Sequence, residues 1–175
     1  AIQFQWPTKL WSKKHTDIAD FFEQGEPWKN YRSLMQKDLF TPSTAKGYIP
    51  GLIAAAHYAS RGAPDGASTE LDKFTARCSF DCFCSAIFGQ LTQVADRNTP
   101  SDPEDVQFCE DTMEAFEDFL PMLTSPYEVA CSAMGIKTKR YSHFASKMTS
   151  AQAHARRLVN QFVEREQAGE LTPME

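Results

Sequence analysis

Apolar side chains recur three and four residues apart along most of this chain, the spacing of helices buried on one face. Trp28, Tyr31, Leu34, Met35 and Leu39 form the first broad stripe and predict a helix over residues 27–39. Gly25 ends what precedes it, Pro27 suits a first helical turn, and Glu26 lies where the helix dipole favours negative charge. Upstream, Thr16 can cap a short helix through Phe22. Residues 1–14, with Phe4, Trp6, Leu10 and Trp11, read as an irregular lead-in that needs a partner surface. Thr41-Pro42 breaks the pattern, and residues 43–46 allow one turn. Gly47 and Pro50 then punctuate the start of a helix over 51–60, carried by Leu52, Ile53, Ala56 and Ala59. Residues 61–67 are a loop by composition.

Ser68 or Thr69 caps the next predicted helix, which has Glu70 and Asp72 in its first turn and Gly89 as its stop. Residues 78–88 are apolar nearly all round, so this helix is buried on most sides, and Asp81 inside it needs a partner. Residues 90–101 read as a polar loop. Ser101 or Asp102 caps a helix with Pro103 at its first position and Val106, Phe108, Cys109, Met113, Phe116 and Leu120 on its apolar side. Asp105, Glu110, Asp111, Glu114, Glu117 and Asp118 make an acidic face, either a solvated side or a docking surface. Residues 119–127 are the least soluble-looking stretch of the chain. The last helix opens at 137–140 and continues to about Ala168, with Tyr141, Phe144, Met148, Ala151, Ala155, Leu158, Phe162 and Val163 on its apolar side. Its basic start opposes the helix dipole and suits another role, such as meeting an acidic lipid surface. The expectation is a mainly α chain forming a single domain over 1–175.

Composition narrows the function classes. A net charge of −5 over 175 residues argues against nucleic-acid binding, which needs a basic face. No apolar run is long enough to span a bilayer, and residues 1–10 lack the basic start and apolar middle of a secretory signal. The first residue is Ala, which leaves open a processed or truncated N-terminus and a missing targeting segment. Five cysteines, Cys78, Cys82, Cys84, Cys109 and Cys131, are an odd set with three crowded in one helix. A reducing compartment fits them better than a disulfide framework. Cys78 and Cys82 share a helix face, but no second Cys pair or close His pair completes a four-ligand site, so small buried residues are the favoured reading and no metal site is assigned. His143 and His154 are three turns apart, too far for a shared metal.

Trp28 and Arg32 are four residues apart and leave one face of their helix. An indole N–H beside a guanidinium fork can grip a carboxylate; the same spacing also gives a cation–π pair. The longer run Gly25-x-x-Trp28-x-x-x-Arg32-x-x-x-Gln36-Lys37-x-x-Phe40-x-Pro42 resembles helix C of the cytochrome P450 family, closest to its mitochondrial type. Ser79-Phe80-Asp81, five residues, then Ile87-Phe88-Gly89 resembles helix E of the same family, in the right order. The resemblance covers about 16–168 and implies a partial cytochrome P450 fold, the region of helices B′ to G, without the haem-thiolate half. It implies that Trp28 and Arg32 bind haem propionates. Phe21 and Phe22 would border the substrate cavity, although packing against helix C is an equal alternative. Helix F would be the helix opened by Pro103, and 119–127 the loop between helices F and G. There Phe119, Leu120, Met122 and Leu123 would shape substrate entry and, with Tyr127, make peripheral membrane contact. Packing beneath the loop is the other role open to them. Lys29 and Lys37 would face a ferredoxin-type electron donor or simply be solvated.

Three later family motifs are not found in these residues: the oxygen-activating acid–Thr pair, Glu-x-x-Arg, and the Cys loop that supplies the iron's thiolate. The resemblance therefore implies part of a haem-thiolate monooxygenase that inserts one oxygen atom from O2 into an apolar, possibly sterol-like, substrate, at the mitochondrial inner membrane. No catalytic residue lies in this chain, and the chain alone is expected to be inactive. The alternative is a non-catalytic helical subunit or scaffold derived from that fold, with protein partners in a larger assembly.

Overall fold

A computed structural model describes residues 7, 25–39, 41–64 and 70–169. Among them the chain is about 80% helix with no strand. The helices are α1 (Glu26–Leu39), α2 (Pro42–Gly62), α3 (Leu71–Phe88), α4 (Pro103–Thr124), α5 (Pro126–Ala133) and α6 (Lys139–Gln167). The expected helix over 16–22, the lead-in over 1–14 and the Ser68 or Thr69 cap lie outside the described residues. The chain divides into two compact units, one of Ala1–Thr44 with Glu114–Thr149, the other of Ala45–Met113 with Ser150–Glu175.

In the second unit, Phe80 and Cys84 of α3, Val94 of the following loop, Phe108 and Cys109 of α4, and Ala151 and Leu158 of α6 form the core. Phe80 meets Phe108 edge to face at 4.9 Å between ring centroids. Each buried Phe contributes about 1.5–3 kcal/mol, and such a pair about 0.5–1.5 kcal/mol more. His154 stacks on Phe108 at 5.8 Å, which gives that histidine a packing role. α3 ends at Gly89, whose φ of +63° closes the helix in the left-handed region.

α2 departs from expectation, because it runs unbroken through Gly47 and Pro50 from Pro42 to Gly62. Thr41-Pro42, read from sequence as a break, is its start: the Thr41 hydroxyl accepts from the Thr44 amide at 3.3 Å, with Pro42 at the first helical position. Pro50 removes one intrahelical bond, yet Ala55, Ala59 and Gly62 are buried along one side and packing outweighs propensity. A Cβ at Gly51 would collide with the Ser85 hydroxyl, and one at Gly62 with the Ala95 carbonyl. Both glycines exist for close approach rather than for a turn.

The loop after α3 is polar in sequence but buried in structure. Thr92, Val94, Ala95 and Asp96 are all buried. Asp81, fully buried on α3, is its anchor. The Thr92 hydroxyl donates to Asp81 Oδ1 at 2.5 Å, the Val94 amide to the same oxygen at 3.0 Å, and the Ala95 amide to Oδ2 at 3.0 Å. Asp96 organises the next turn by accepting from the Asn98 amide and the Thr99 hydroxyl, each at 2.9 Å.

In the first unit, Ala115 and Met122 of α4 pack with Tyr141 and Phe144 of α6, flanked by Phe119, Ala145 and Met148. The expected loop over 119–127 is corrected here: α4 continues to Thr124 with Pro121 inside it, and Ser125 caps α5, accepting from the Glu128 amide at 3.4 Å. Met122 is fully buried and Phe119 stacks on Phe144 at 6.1 Å, so core contacts hold the helical turn despite the proline. Thr138 caps α6 by accepting from the Tyr141 amide at 3.0 Å and donates to the buried Glu128 at 2.6 Å.

Candidate functional site

α1 positions the predicted pair. The Lys29 amide donates to the Gly25 carbonyl at 3.1 Å, and Gly25 takes a φ of +79° at the helix entry. From this turn Trp28 and Arg32 project side by side, and the Arg32 guanidinium carbon lies 5.0 Å from the centre of the indole ring. Trp28 is 38% exposed and Arg32 is exposed. Together with Lys29, Ser33 and Gln36 they line an open recess of about 360 Å³. Stacking uses the face of the guanidinium and leaves its N–H edges available. Arg32 makes no ion pair with any described residue. Lys29, by contrast, is engaged with Glu26 at 2.7 Å. The recess therefore offers an uncompensated guanidinium fork and an indole N–H to one carboxylate, so these two side chains fit a carboxylate-bearing group such as haem.

Cys84, Cys109 and Cys131 are buried. Burial first, and nearby carboxylates second, push the Cys84 thiol up to about 12. Burial also pushes Cys109 up to about 12, against the lowering effect of Arg77. No group of three or more metal-ligating side chains forms among the described residues.

The other predicted site residues scatter. Phe21 and Phe22 lie outside the described residues, as does the side chain of Lys37. Met122 belongs to the core and Phe119 packs on its edge, whereas Leu120 is 64% exposed and Leu123 half-buried. Tyr127 is exposed at the start of α5. Within residues 119–123, Leu120 and Pro121 are exposed and the other three are wholly or partly buried. No helix among the described residues is long and apolar enough to cross a membrane.

Sequence reasoning missed a charge network between α4 and α6. His143 is held by two carboxylates, Asp118 at 2.6 Å on Nδ1 and Glu114 at 3.3 Å on Nε2. Lys147 pairs with Glu114 at 2.9 Å, and Arg140 with Asp118 at 3.7 Å. The acidic face thus meets the basic start of α6. The i, i+4 spacing of Glu114 with Asp118 and of His143 with Lys147 was the available signal. Asp118, Tyr127, Glu128, Thr138, Lys139, Arg140 and His143 line a groove of about 750 Å³ beside this network, with charges of both signs.

Comparison with protein-family models, with curated proteins and with solved structures finds no match for this chain.

Proposed function

We propose that this chain is part of a cytochrome P450 haem-thiolate monooxygenase, the helix B′ to G region of that fold. The observation that carries the reading is the exposed Trp28–Arg32 pair, for whose donors no hydrogen-bond or ion-pair partner stands among the described residues. The two Ser/Phe/Asp and Gly-stopped features of α3, in their order after α1, support it. Arg32 would take one propionate with its guanidinium edge, and the Trp28 N–H would add a second donor. Bound haem would supply the O2 chemistry that places one oxygen atom in an apolar, sterol-like substrate. Its thiolate would come from outside these residues, and electrons from a ferredoxin-type donor. Arg32 would fix the orientation of the cofactor, and the exposed Leu120 and Tyr127 would meet substrate or lipid at an inner-membrane surface.

The test is haem retention in the full-length protein. Hydrogen bonds to a charged group are worth about 1.5–3 kcal/mol, so Arg32→Ala should weaken haem affinity roughly 10- to 100-fold. Arg32→Lys should restore part of it, because a point charge lacks the fork. Unchanged haem content in Arg32→Ala sinks the propionate role.

A second reading, a non-catalytic helical subunit, draws on Phe116 and Leu120. They stand one turn apart on α4 and are 62% and 64% exposed. A haem-free native protein in which Phe116→Asp releases a protein partner would favour it.

A further inference from the structure

Cys78 and Cys82 stand one turn apart on a single face of α3. Both are partly exposed, whereas Cys84, Cys109 and Cys131 are buried. Residues at this spacing hold their Cβ atoms about 5–6 Å apart, while a disulfide needs about 3.5–4.5 Å. While α3 stays helical, the pair persists as two thiols. A linear sulfur–metal–sulfur unit spans roughly twice a metal–sulfur bond of about 2.3 Å, a distance that rotation of the two side chains can reach. Thiolates are soft donors and select soft ions. Zinc asks for four ligands, and no third His, Cys, Asp or Glu joins the pair among the described residues.

We propose that Cys78 and Cys82 form a two-coordinate site for a soft monovalent cation, Cu(I), on the face of α3. Binding breaks two S–H bonds, forms two S–Cu bonds and releases two protons. Copper stays monovalent, so no oxidant or reductant is required. The three buried thiols take no part, because reaching them would open the core that Cys84 and Cys109 help to fill. The site is independent of Trp28 and Arg32.

The experiment is an anaerobic titration of the full chain with Cu(I) against a chromophoric Cu(I) chelator. One copper per chain is expected, with two sulfur neighbours by X-ray absorption. Cys78→Ser and Cys82→Ser should each weaken binding on the order of a hundredfold or more, since losing one sulfur removes the chelate. Cys84→Ser, Cys109→Ser and Cys131→Ser should retain the site if folded. Binding that survives Cys78→Ser and Cys82→Ser, or failure to compete with the chelator, overturns the proposal. Alkylation of the unmodified chain, mapped by mass spectrometry, needs no variant to fold. Cu(I) should protect Cys78 and Cys82 together, and protection of neither or of only one overturns the pair.

Discussion

Asp81→Ala should be the most damaging single polar substitution in the second unit, and its cost follows from three bonds. The side chain is fully buried and accepts from Thr92 Oγ1, the Val94 amide and the Ala95 amide. Alanine leaves both amides without acceptors. A buried donor so orphaned costs about 1–3 kcal/mol, so two cost about 2–6 kcal/mol, while the Thr92 hydroxyl can rotate to another partner. Against a domain stability of about 5–15 kcal/mol, that is a large share. Asp81→Asn should be costly too. With its remaining oxygen in the Oδ1 position it keeps the Thr92 and Val94 bonds, but its NH2 faces the Ala95 amide donor to donor, so both go without an acceptor at about 1–3 kcal/mol each. Thr92→Val should cost about 1 kcal/mol, because donor and acceptor are not both stranded. Urea unfolding followed by circular dichroism gives the ranking, both Asp81 variants above the Thr92 variant. Native-state hydrogen exchange gives the mechanism: the Val94 and Ala95 amides should lose protection well before the amides at the centre of α3. An Asp81→Ala variant within about 0.5 kcal/mol of the parent chain, or unchanged exchange at Val94 and Ala95, refutes the clamp.

Gly62→Ala should destabilise by about 3 kcal/mol and Gly51→Ala by about 1 kcal/mol, since the first meets the Ala95 backbone carbonyl and the second only the rotatable Ser85 hydroxyl. Equal midpoints in urea would show that the backbone contact is not the obstacle. Asp96 is held below its ordinary 3.8, chiefly by the Asn98 amide and then by Thr99 and Arg61. A carboxyl with a depressed folded value contributes stability that is present above 3.8 and is lost as pH falls through that lower value. Asp96→Asn should therefore flatten the acid limb of a stability–pH profile while leaving its neutral limb parallel to that of the parent.

What the sequence made legible is what is local in it. α1, α3, α4 and α6 follow from apolar spacing, and the Gly89 stop, Pro103 and the Trp28–Arg32 pair are each set by residues within four positions. Partners farther along the chain were not legible. Asp81 could be seen to need donors, but Thr92, Val94 and Ala95 stand 11 to 14 residues away. The Asp118–His143 contact spans 25 residues. Proline misled twice for one reason. At Pro50 and Pro121 the lost intrahelical bond is a local cost, and burial of Ala55 and Ala59 in α2 and of Met122 in α4 offsets it from outside the local window. The same long-range contacts bury Thr92, Val94, Ala95 and Asp96 within residues 90–101, a string that reads as a polar loop.

The two sequence features that point toward a haem protein do not weigh equally once their structural duties are known. On α3, Phe80 fills the core, Asp81 clamps the following loop and Gly89 ends the helix, so folding alone accounts for all three. On α1, Trp28 and Arg32 are exposed, and among the described residues their contribution to folding is an exposed cation–π contact, about 0.5–1 kcal/mol. The functional reading therefore rests on α1, and the two pairs should dissociate under mutation. Asp81→Asn should lower stability, and at a denaturant concentration where it remains folded its affinity for haem should match the parent's. Arg32→Ala should leave the urea midpoint almost unmoved and lower haem affinity. If Arg32→Ala instead destabilises the chain by several kcal/mol, Arg32 is a structural residue, and the motif on α1 says no more about a cofactor than the motif on α3 does.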